Sequence, residues 1–316
     1  MRGKITAIAL ATAIASGGTA AVAAPAQAVR APLDWVALGD SYTAGVILAA
    51  GREYERPRDG CARTTLSYPQ VIEAELNDQV DLRNVSCGNA TIANVVNDPQ
   101  EPIGRHLPPF SNDPDYPFAP VPPQLESVSP DTDVVTVGVG GNSLGFGQIL
   151  FTCIELGLNT GGRGTPCKDH YGDELDDRLS QVSAEYDEML TAINARARHA
   201  KVITVGYPHI IPDDTTKCIP GSLVGFGSIT RGDLDWLRTS ALEPLNAVIR
   251  TRTAEHGDVY VDQYTSSRGH SVCDKAGGNN WVEGILDTSG RFALVHPNAR
   301  GHANVATLVK QAILDL

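Results

Sequence analysis

Two serines, each placed just after a short apolar run, could act as nucleophiles. Ser41 lies beside an aspartate in VALGDSYTAGV, residues 36–46, and Ser143 lies within a G-x-S-x-G pattern in VTVGVGGNSLGF, residues 135–146. A serine hydroxyl attacks a carbonyl carbon well only when a base lies within hydrogen-bond reach. His296, which opens the segment HPNARGH, could serve as that base for either serine.

The pattern around Ser143 is typical of the nucleophile elbow of α/β-hydrolases, in which an acid and then a histidine follow the serine. Asp262 and His296 would satisfy that order. However, several strands precede the elbow in that fold, and only two are predicted before the strand that carries Ser143. No HGG-type segment for an oxyanion lies upstream, and 31 glycines make a chance match easy. We therefore favour Ser41.

Ser41 is predicted to lie in the first turn after a strand. Its hydroxyl would then lie near the amide end of the next helix, where developing negative charge is stabilised. Asp40 could hold this turn by accepting backbone N–H groups. An ordinary helix N-cap is the alternative interpretation of the same residues.

Four ordered segments together resemble the SGNH or GDSL hydrolases, and they span most of the chain. They are GDSYTAG (39–45), NVSCGNAT (84–91), GGN (140–142) and HPNARGH (296–302). The resemblance implies a flavodoxin-like three-layer fold and hydrolysis of carboxylic esters without a cofactor.

The same resemblance assigns roles to individual residues. Ser41 would be the nucleophile and His296 the general base. The oxyanion would be bound by the N–H of Ser41, the side chain of Asn142 and the N–H of Gly88 or Asn89. Both candidates remain because the family's G-A-T ending is replaced by G-N-A-T in this chain.

Two departures from the family pattern change the expected site. The aspartate that usually lies three residues before the histidine is replaced by Ala293. The Ala293 carbonyl could instead accept the Nδ1–H of His296, as in a Ser–His dyad, and Asp287 or Asp262 are the alternatives. The family's G-x-N-D segment has Ser143 in place of its aspartate, so this loop must be held in another way.

The chain begins with features of a secretory signal peptide. Arg2 and Lys4 precede an apolar stretch, and Ala26-Gln27-Ala28 has the A-x-A form of a cleavage site. We predict a signal peptide over 1–28, a single domain over 29–316 and an extracellular location.

The cysteines fit export, because an even number in a secreted protein indicates disulfides. The six cysteines allow fifteen pairings, and no C-x-x-C pair suggests a zinc site. The family resemblance implies pairing in chain order, as Cys61–Cys87, Cys153–Cys167 and Cys218–Cys273.

The chain is acidic, which limits the classes of partner. Without Arg2 and Lys4 it has 23 basic and 37 acidic residues, a formal charge of −14. Such a surface repels polyphosphate backbones, so we predict no nucleic-acid partner. No stretch after the leader could span a bilayer, and the histidines share no metal-ligand spacing. We predict a monomer without metal, cofactor or stable membrane insertion.

Alternating strand and helix patterns must position these residues. Strands are predicted over 33–39, 80–86, 132–140, 201–207 and 258–262, and helices over 67–77, 174–199, 230–256 and 298–314. This alternation predicts a parallel five-stranded sheet between two helical layers. Residues 98–123 contain nine prolines and fit neither pattern. We interpret them as an ordered loop that borders a groove, with an interdomain linker as the alternative.

We therefore predict a secreted serine ester hydrolase, an esterase or lipase, with an acyl-enzyme on Ser41. Apolar residues that flank the four segments suggest an acyl-binding groove: Val46, Ile47, Leu144, Phe146, Leu294 and Val295. They favour lipid-like esters, including phospholipids cleaved by a phospholipase A-type reaction. Carbohydrate O-deacetylation is the enzymatic alternative. A secreted binding protein that has lost activity is the alternative of another class.

Overall fold

Five parallel strands run through the middle of the molecule. The computed structural model describes residues 31–109 and 111–315, together with Gly3. The strands are β1 (Leu33–Gly39), β2 (Val80–Asn84), β3 (Val134–Gly138), β4 (Lys201–Val205) and β5 (Val259–Val261). Their order across the sheet is β2-β1-β3-β4-β5. This is the flavodoxin-like order, so the predicted sheet is confirmed.

Helices cover both faces of the sheet. They are α1 (Ser41–Ala44), α2 (Tyr68–Leu76), α3 (Ile92–Val96), α4 (Gly141–Leu144), α5 (Phe146–Asn159), α6 (Pro166–Tyr171), α7 (Glu174–Arg196), α8 (Arg231–Leu237), α9 (Glu243–Glu255), α10 (Gln263–Ser266) and α11 (Ala299–Leu314). The predicted helices correspond to α2, α7, α8 with α9, and α11.

The two faces of β1 show how the layers are held together. Trp35 is fully buried among apolar side chains of α2 and α11, including Ile72 and Val309. The next residue along the strand, Val36, is buried on the other face with side chains of α3, α7 and α9. Because successive strand residues point to opposite faces, an apolar run is required where both faces are covered. The three-layer α/β/α prediction is confirmed.

The helix predicted over 230–256 is two helices joined by a π-helical segment, Arg238–Leu242. Pro244 lies in the first turn of the second helix, α9. A proline has no N–H to donate to the carbonyl four residues earlier, so the regular hydrogen-bond ladder is interrupted there. The single-helix prediction is corrected accordingly.

The described residues of the proline-rich segment 98–123, which are all but residue 110, form an ordered loop that is tied to the rest of the domain. Gln100 and Val121 exchange two backbone hydrogen bonds at its base. The Gln100 side chain also donates to the Gly88 carbonyl, at 2.6 Å. This position agrees with the interpretation as an ordered loop rather than a linker.

The chain from Pro32 onward forms one compact unit, and three disulfides cross-link it. They join Cys61 to Cys87, Cys153 to Cys167 and Cys218 to Cys273. In the described part of the chain, no helix combines the length and the apolarity that crossing a membrane requires. Apart from Gly3, the predicted signal peptide lies outside the described residues, so it stays a prediction.

Candidate active site

Ser41 lies where β1 ends and the short helix α1 begins. Asp40 is the N-cap of α1, and its Oδ1 accepts the Tyr42 N–H at 2.8 Å. This bond holds the turn, as the sequence predicted for an aspartate before the serine. Ser41 is only 8% exposed.

His296 meets Ser41 at the carboxyl edge of the sheet. Its Nε2 lies 2.7 Å from Ser41 Oγ, and its Nδ1 lies 2.8 Å from the Ala293 carbonyl oxygen. A carbonyl oxygen can only accept, so Nδ1 carries the hydrogen and donates it to Ala293. In the neutral ring Nε2 is then the acceptor, and Ser41 donates its hydroxyl hydrogen to it.

The turn before His296 adopts an unusual backbone conformation. Leu294 and Val295 have φ angles of 47° and 58°, in the left-handed region. A β-branched residue such as Val295 enters this region only at a cost in strain, and such strain concentrates at functional sites. Tyr42 supports the turn, because its hydroxyl donates to the Val295 carbonyl at 2.6 Å. The Tyr42 ring also lies against the imidazole, with 4.9 Å between ring centroids.

Burial lowers the pKa of His296 below its ordinary value of 6.5, and the hydrogen bond to Ala293 opposes this shift. The imidazole is therefore in its neutral, basic form at neutral pH. Among the described residues, no carboxylate forms a hydrogen bond with the ring. The Asp287 carboxylate pairs with Arg291, and the Asp262 carboxylate accepts from Thr265.

The site contains no arrangement suited to a metal. Among the described residues, no group of three or more His, Cys, Asp or Glu side chains could hold a metal ion. The groups available for chemistry at the site are the serine, the histidine and the hydrogen-bond donors around them.

The structure distinguishes the two candidate donors in the second segment. The Gly88 N–H donates to the Cys61 carbonyl at 3.0 Å, so it is already used. Asn89 has a left-handed φ of 65°, and none of the described residues accepts its N–H. Asn89 is therefore the residue of the pair with an N–H available for a ligand.

Asn142 lies at the start of α4, opposite this segment. Its Nδ2 donates to the Ala90 carbonyl at 2.9 Å, which fixes the direction of the amide. An amide nitrogen carries two hydrogens, so one remains for an acceptor in the cleft.

Ser143 does not meet the histidine. Its Oγ accepts the N–H of Ile92, the first residue of α3, at 2.9 Å. This bond connects the loop after β3 to the loop after β2, and so braces the loop in which Ser143 replaces the family's aspartate. Ser143 is thus a structural residue of the site in this arrangement.

Tyr207, which lies just beyond β4, is a site residue that the sequence analysis did not select. Its hydroxyl accepts the Gly141 N–H at 2.7 Å and donates to Asp40 Oδ2 at 2.5 Å. Burial raises the pKa of the Asp40 carboxyl to about 7, although the bond from Tyr207 opposes this shift. The fold provides a signal for Tyr207. Because β3 and β4 are neighbours, the residues that follow them, including Gly141 and Tyr207, lie at the same edge of the sheet.

Two clefts meet at Ser41 and His296. The first has a volume of about 120 Å³ and a mostly apolar wall that includes Leu144, Phe146 and Leu242. The π-helical segment contributes Leu242 to this wall. The second has a volume of about 370 Å³. Its wall includes Val46, Ile47, Leu48, Gly88, Asn89, residues 103–107 of the proline-rich loop, Ser111 and residues 291–294.

Fold and site together define a class of protein: a flavodoxin-like α/β/α domain with a Ser–His pair at the carboxyl edge of its sheet. The sequence profile of the GDSL-like lipase/acylhydrolase family matches residues 37–303. The chain belongs to this family and is a carboxylic ester hydrolase. The resemblance to SGNH or GDSL hydrolases is therefore confirmed.

Several similar proteins come from Streptomyces. Lipase 2 of Streptomyces coelicolor is 34% identical over 286 residues, which cover 90% of this chain and 86% of the relative. An esterase of Streptomyces scabiei is 30% identical and covers 97% and 94% of the two chains. The crystal structure of an extracellular lipase from Streptomyces rimosus is 25% identical, with a TM-score of 0.63 and coverage of 89% and 99%. A phospholipase A1 from Streptomyces albidoflavus, 22% identical with a TM-score of 0.59, shares the fold and covers 90% and 99%.

Proposed function

We propose that the protein is a secreted serine esterase or lipase that cleaves aliphatic esters through an acyl-enzyme on Ser41. The observation that carries the proposal is the 2.7 Å contact between Ser41 Oγ and His296 Nε2, at the mouth of an apolar cleft. A serine with a base at this distance is the arrangement that nucleophilic catalysis needs.

In the acylation step, Ser41 Oγ attacks the ester carbonyl carbon while His296 Nε2 takes the hydroxyl proton. His296 then gives this proton to the leaving alcohol as the bond between carbonyl carbon and alkoxy oxygen breaks. The Ala293 carbonyl accepts the Nδ1–H and keeps the ring oriented. It thereby takes the place of the aspartate of a triad.

The negative charge of the tetrahedral intermediate needs preorganised donors. We assign this role to the N–H groups of Ser41 and Asn89 and to the second amide hydrogen of Asn142. Each such donor contributes about 2.7–4 kcal/mol to the stabilisation of the transition state. The alternative donor, Gly88, is disfavoured because the Cys61 carbonyl already takes its N–H.

Deacylation repeats the same steps with water. His296 removes a proton from a water molecule, the hydroxide attacks the acyl carbon, and Ser41 leaves with the proton that His296 returns. No cofactor takes part in these steps. Since one chain lines both clefts, a monomer is sufficient for the reaction.

The apolar wall of the first cleft supports an aliphatic acyl group as the preferred acid. Its 120 Å³ suits an acyl chain of a few carbons inside the cleft. Burial of each methylene contributes about 0.8 kcal/mol. The lipase and esterase names of the relatives agree with this choice.

Secretion is supported by the leader over residues 1–28 and by three disulfides, which persist in an oxidising environment. We propose that the signal peptide is cleaved after Ala28.

The test is hydrolysis of p-nitrophenyl esters of increasing acyl length by the wild type and by Ser41→Ala. We expect activity in the wild type and a loss of at least about 10³-fold in kcat/KM for Ser41→Ala. A fluorophosphonate probe should label the wild type on Ser41 and leave the variant unlabelled. A folded wild type that cleaves no ester and takes no label would overturn the proposal.

A further inference from the structure

The second cleft is unusual in its charge. The protein has a formal net charge of −12, yet the charged side chains among the described residues that line this cleft are two arginines, Arg105 and Arg291. None of its described lining residues is an aspartate or a glutamate. A cleft with one sign of charge raises the local concentration of ligands of the opposite sign.

The two arginines differ in their partners. Arg291 is neutralised by the buried Asp287, at 2.9 Å. Arg105 is exposed, and within the described residues no carboxylate forms an ion pair with it. Arg105 therefore has a full guanidinium available for an external anion.

Arg58, rather than Arg105, pairs with three carboxylates in and beside the loop. Asp113 and Asp115 of the loop and the neighbouring Glu53 all form ion pairs with Arg58, at 2.6–2.9 Å. The hydrogen bonds from Arg58 also hold the pKa of the Asp113 carboxyl well below its usual range. Asp113 thus stays ionised and bound to Arg58.

The same carboxylate fixes the backbone of Arg105. Asp113 Oδ2 accepts the Arg105 N–H at 2.9 Å, and the Ser111 hydroxyl donates to the Arg105 carbonyl at 2.6 Å. Both peptide groups of Arg105 are therefore held, while its side chain is free of protein acceptors among the described residues. An anchored backbone with an unpaired guanidinium is suited to binding a ligand at low cost in loop entropy.

We propose that the second cleft receives the leaving alcohol of the ester and that Arg105 recognises a phosphate carried by that alcohol. The inference rests on the proposed function, because it assigns the other side of the same ester to this cleft. A planar guanidinium binds phosphate oxygens through two parallel hydrogen bonds, which favours phosphate over a neutral hydroxyl. Arg105 takes no part in bond making and acts on substrate specificity.

The experiment compares kcat/KM for two soluble esters, 1,2-dibutyrylglycerol 3-phosphate and 1,2-dibutyrylglycerol, at concentrations where both are monomeric. In Arg105→Gln we expect the ratio of phosphate ester to neutral ester to fall by about tenfold. Arg105→Lys should keep only part of the ratio, because the charge is retained while the two parallel hydrogen bonds of the guanidinium are lost. The butyryl ester of 2-hydroxyethyl phosphate shows whether phosphate alone is recognised or phosphate on glycerol.

Arg163→Gln is the matched control, since it removes an equal charge from an exposed arginine that lines neither cleft. Its ratio should equal that of the wild type. An unchanged ratio in Arg105→Gln, or an equal fall in Arg163→Gln, would overturn the inference. Hydrolysis of p-nitrophenyl butyrate by the wild type is measured in the same preparation. If it is observed, an unchanged ratio contradicts the role of Arg105 and leaves the proposed function standing.

Discussion

The loops after β1 and β3 present two serines in similar positions with different environments. Both serines follow a buried strand, and both lie in a four-residue helix with a left-handed glycine at its C-cap. Ser41 donates to a histidine at 2.7 Å, whereas Ser143 accepts an N–H at 2.9 Å. The position after a strand is therefore shared, and the hydrogen-bond partner distinguishes a candidate nucleophile from a brace.

The loop after β3 also supports the site that is formed by the loop after β1. The loop after β3 offers Asn142 toward Ser41, and Ser143 and Tyr207 hold that loop from two sides. In our proposal, the loop after β1 supplies the reacting atom and the loop after β3 supplies an oxyanion donor. Substitutions in the second loop should then lower activity in proportion to how directly they touch the oxyanion.

The largest effect is expected for Asn142→Ala, which removes a donor to the oxyanion. We expect kcat for p-nitrophenyl butyrate to fall by about 10²–10³-fold with little change in KM, because this bond strengthens in the transition state. Steady-state kinetics at pH 8 and a thermal melt check the two effects. A fall in stability without a fall in kcat would show that Asn142 serves only to hold Ala90.

The next effect is expected for Tyr207→Phe, which removes the hydroxyl between Asp40 and Gly141. The loop that carries Asn142 loses one anchor, so we expect kcat to fall by about tenfold. The bond from Tyr207 opposes the rise in the pKa of Asp40, so the variant should raise that pKa further above 7.

The pH dependence of stability provides an independent check on Tyr207→Phe. A carboxyl whose pKa is raised in the folded state stabilises the protein at low pH. This contribution is lost as the pH rises from the carboxyl's unfolded-state pKa to its folded-state pKa. The free energy of unfolding should therefore fall more between pH 5 and pH 9 in the variant than in the wild type. Denaturant unfolding at both values measures it, and equal falls would contradict the assigned hydrogen bond.

These residues also show how far the sequence could predict the molecule. The strands follow from buried β-branched runs such as VVTVG in β3, and Ser41, Asn142 and His296 were selected because each lies in a short motif at a strand end or before the last helix. The structure brings these three residues to one cleft, and their catalytic roles stay predictions. Tyr207 was missed because its bond to Gly141 spans 66 residues and depends on the pairing of β3 with β4.

Three further features of the structure are not predicted from the sequence, each for a different reason. The helices α1 and α4 have four residues each, which is too short for a periodic apolar pattern. The break before α9 follows from Pro244, but the helical pattern of the sequence continues across it, so the pattern alone predicts one helix. The choice between Gly88 and Asn89 needed the Cys61 carbonyl, a contact that the folded chain creates across 27 residues.

The smallest effect on activity is expected for Ser143→Ala, and it tests the comparison most directly. The variant removes the acceptor of the Ile92 N–H but leaves Ser41 and His296 unchanged. We expect kcat/KM within about threefold of the wild type and a loss of about 1 kcal/mol in the free energy of unfolding, as for a lost helix cap. Ester hydrolysis and denaturant unfolding of the same preparation check both values.

Ser143→Asp is the matched variant, because it restores the G-x-N-D pattern of the family and keeps an oxygen that can accept the Ile92 N–H. Its stability should lie closer to that of the wild type than the stability of Ser143→Ala does. If Ser143→Ala were as inactive as Ser41→Ala while still folded, Ser143 would have a catalytic role that its bond to Ile92 does not explain. If both Ser143 variants lost the same stability, the brace between the two loops would depend on contacts other than this hydrogen bond.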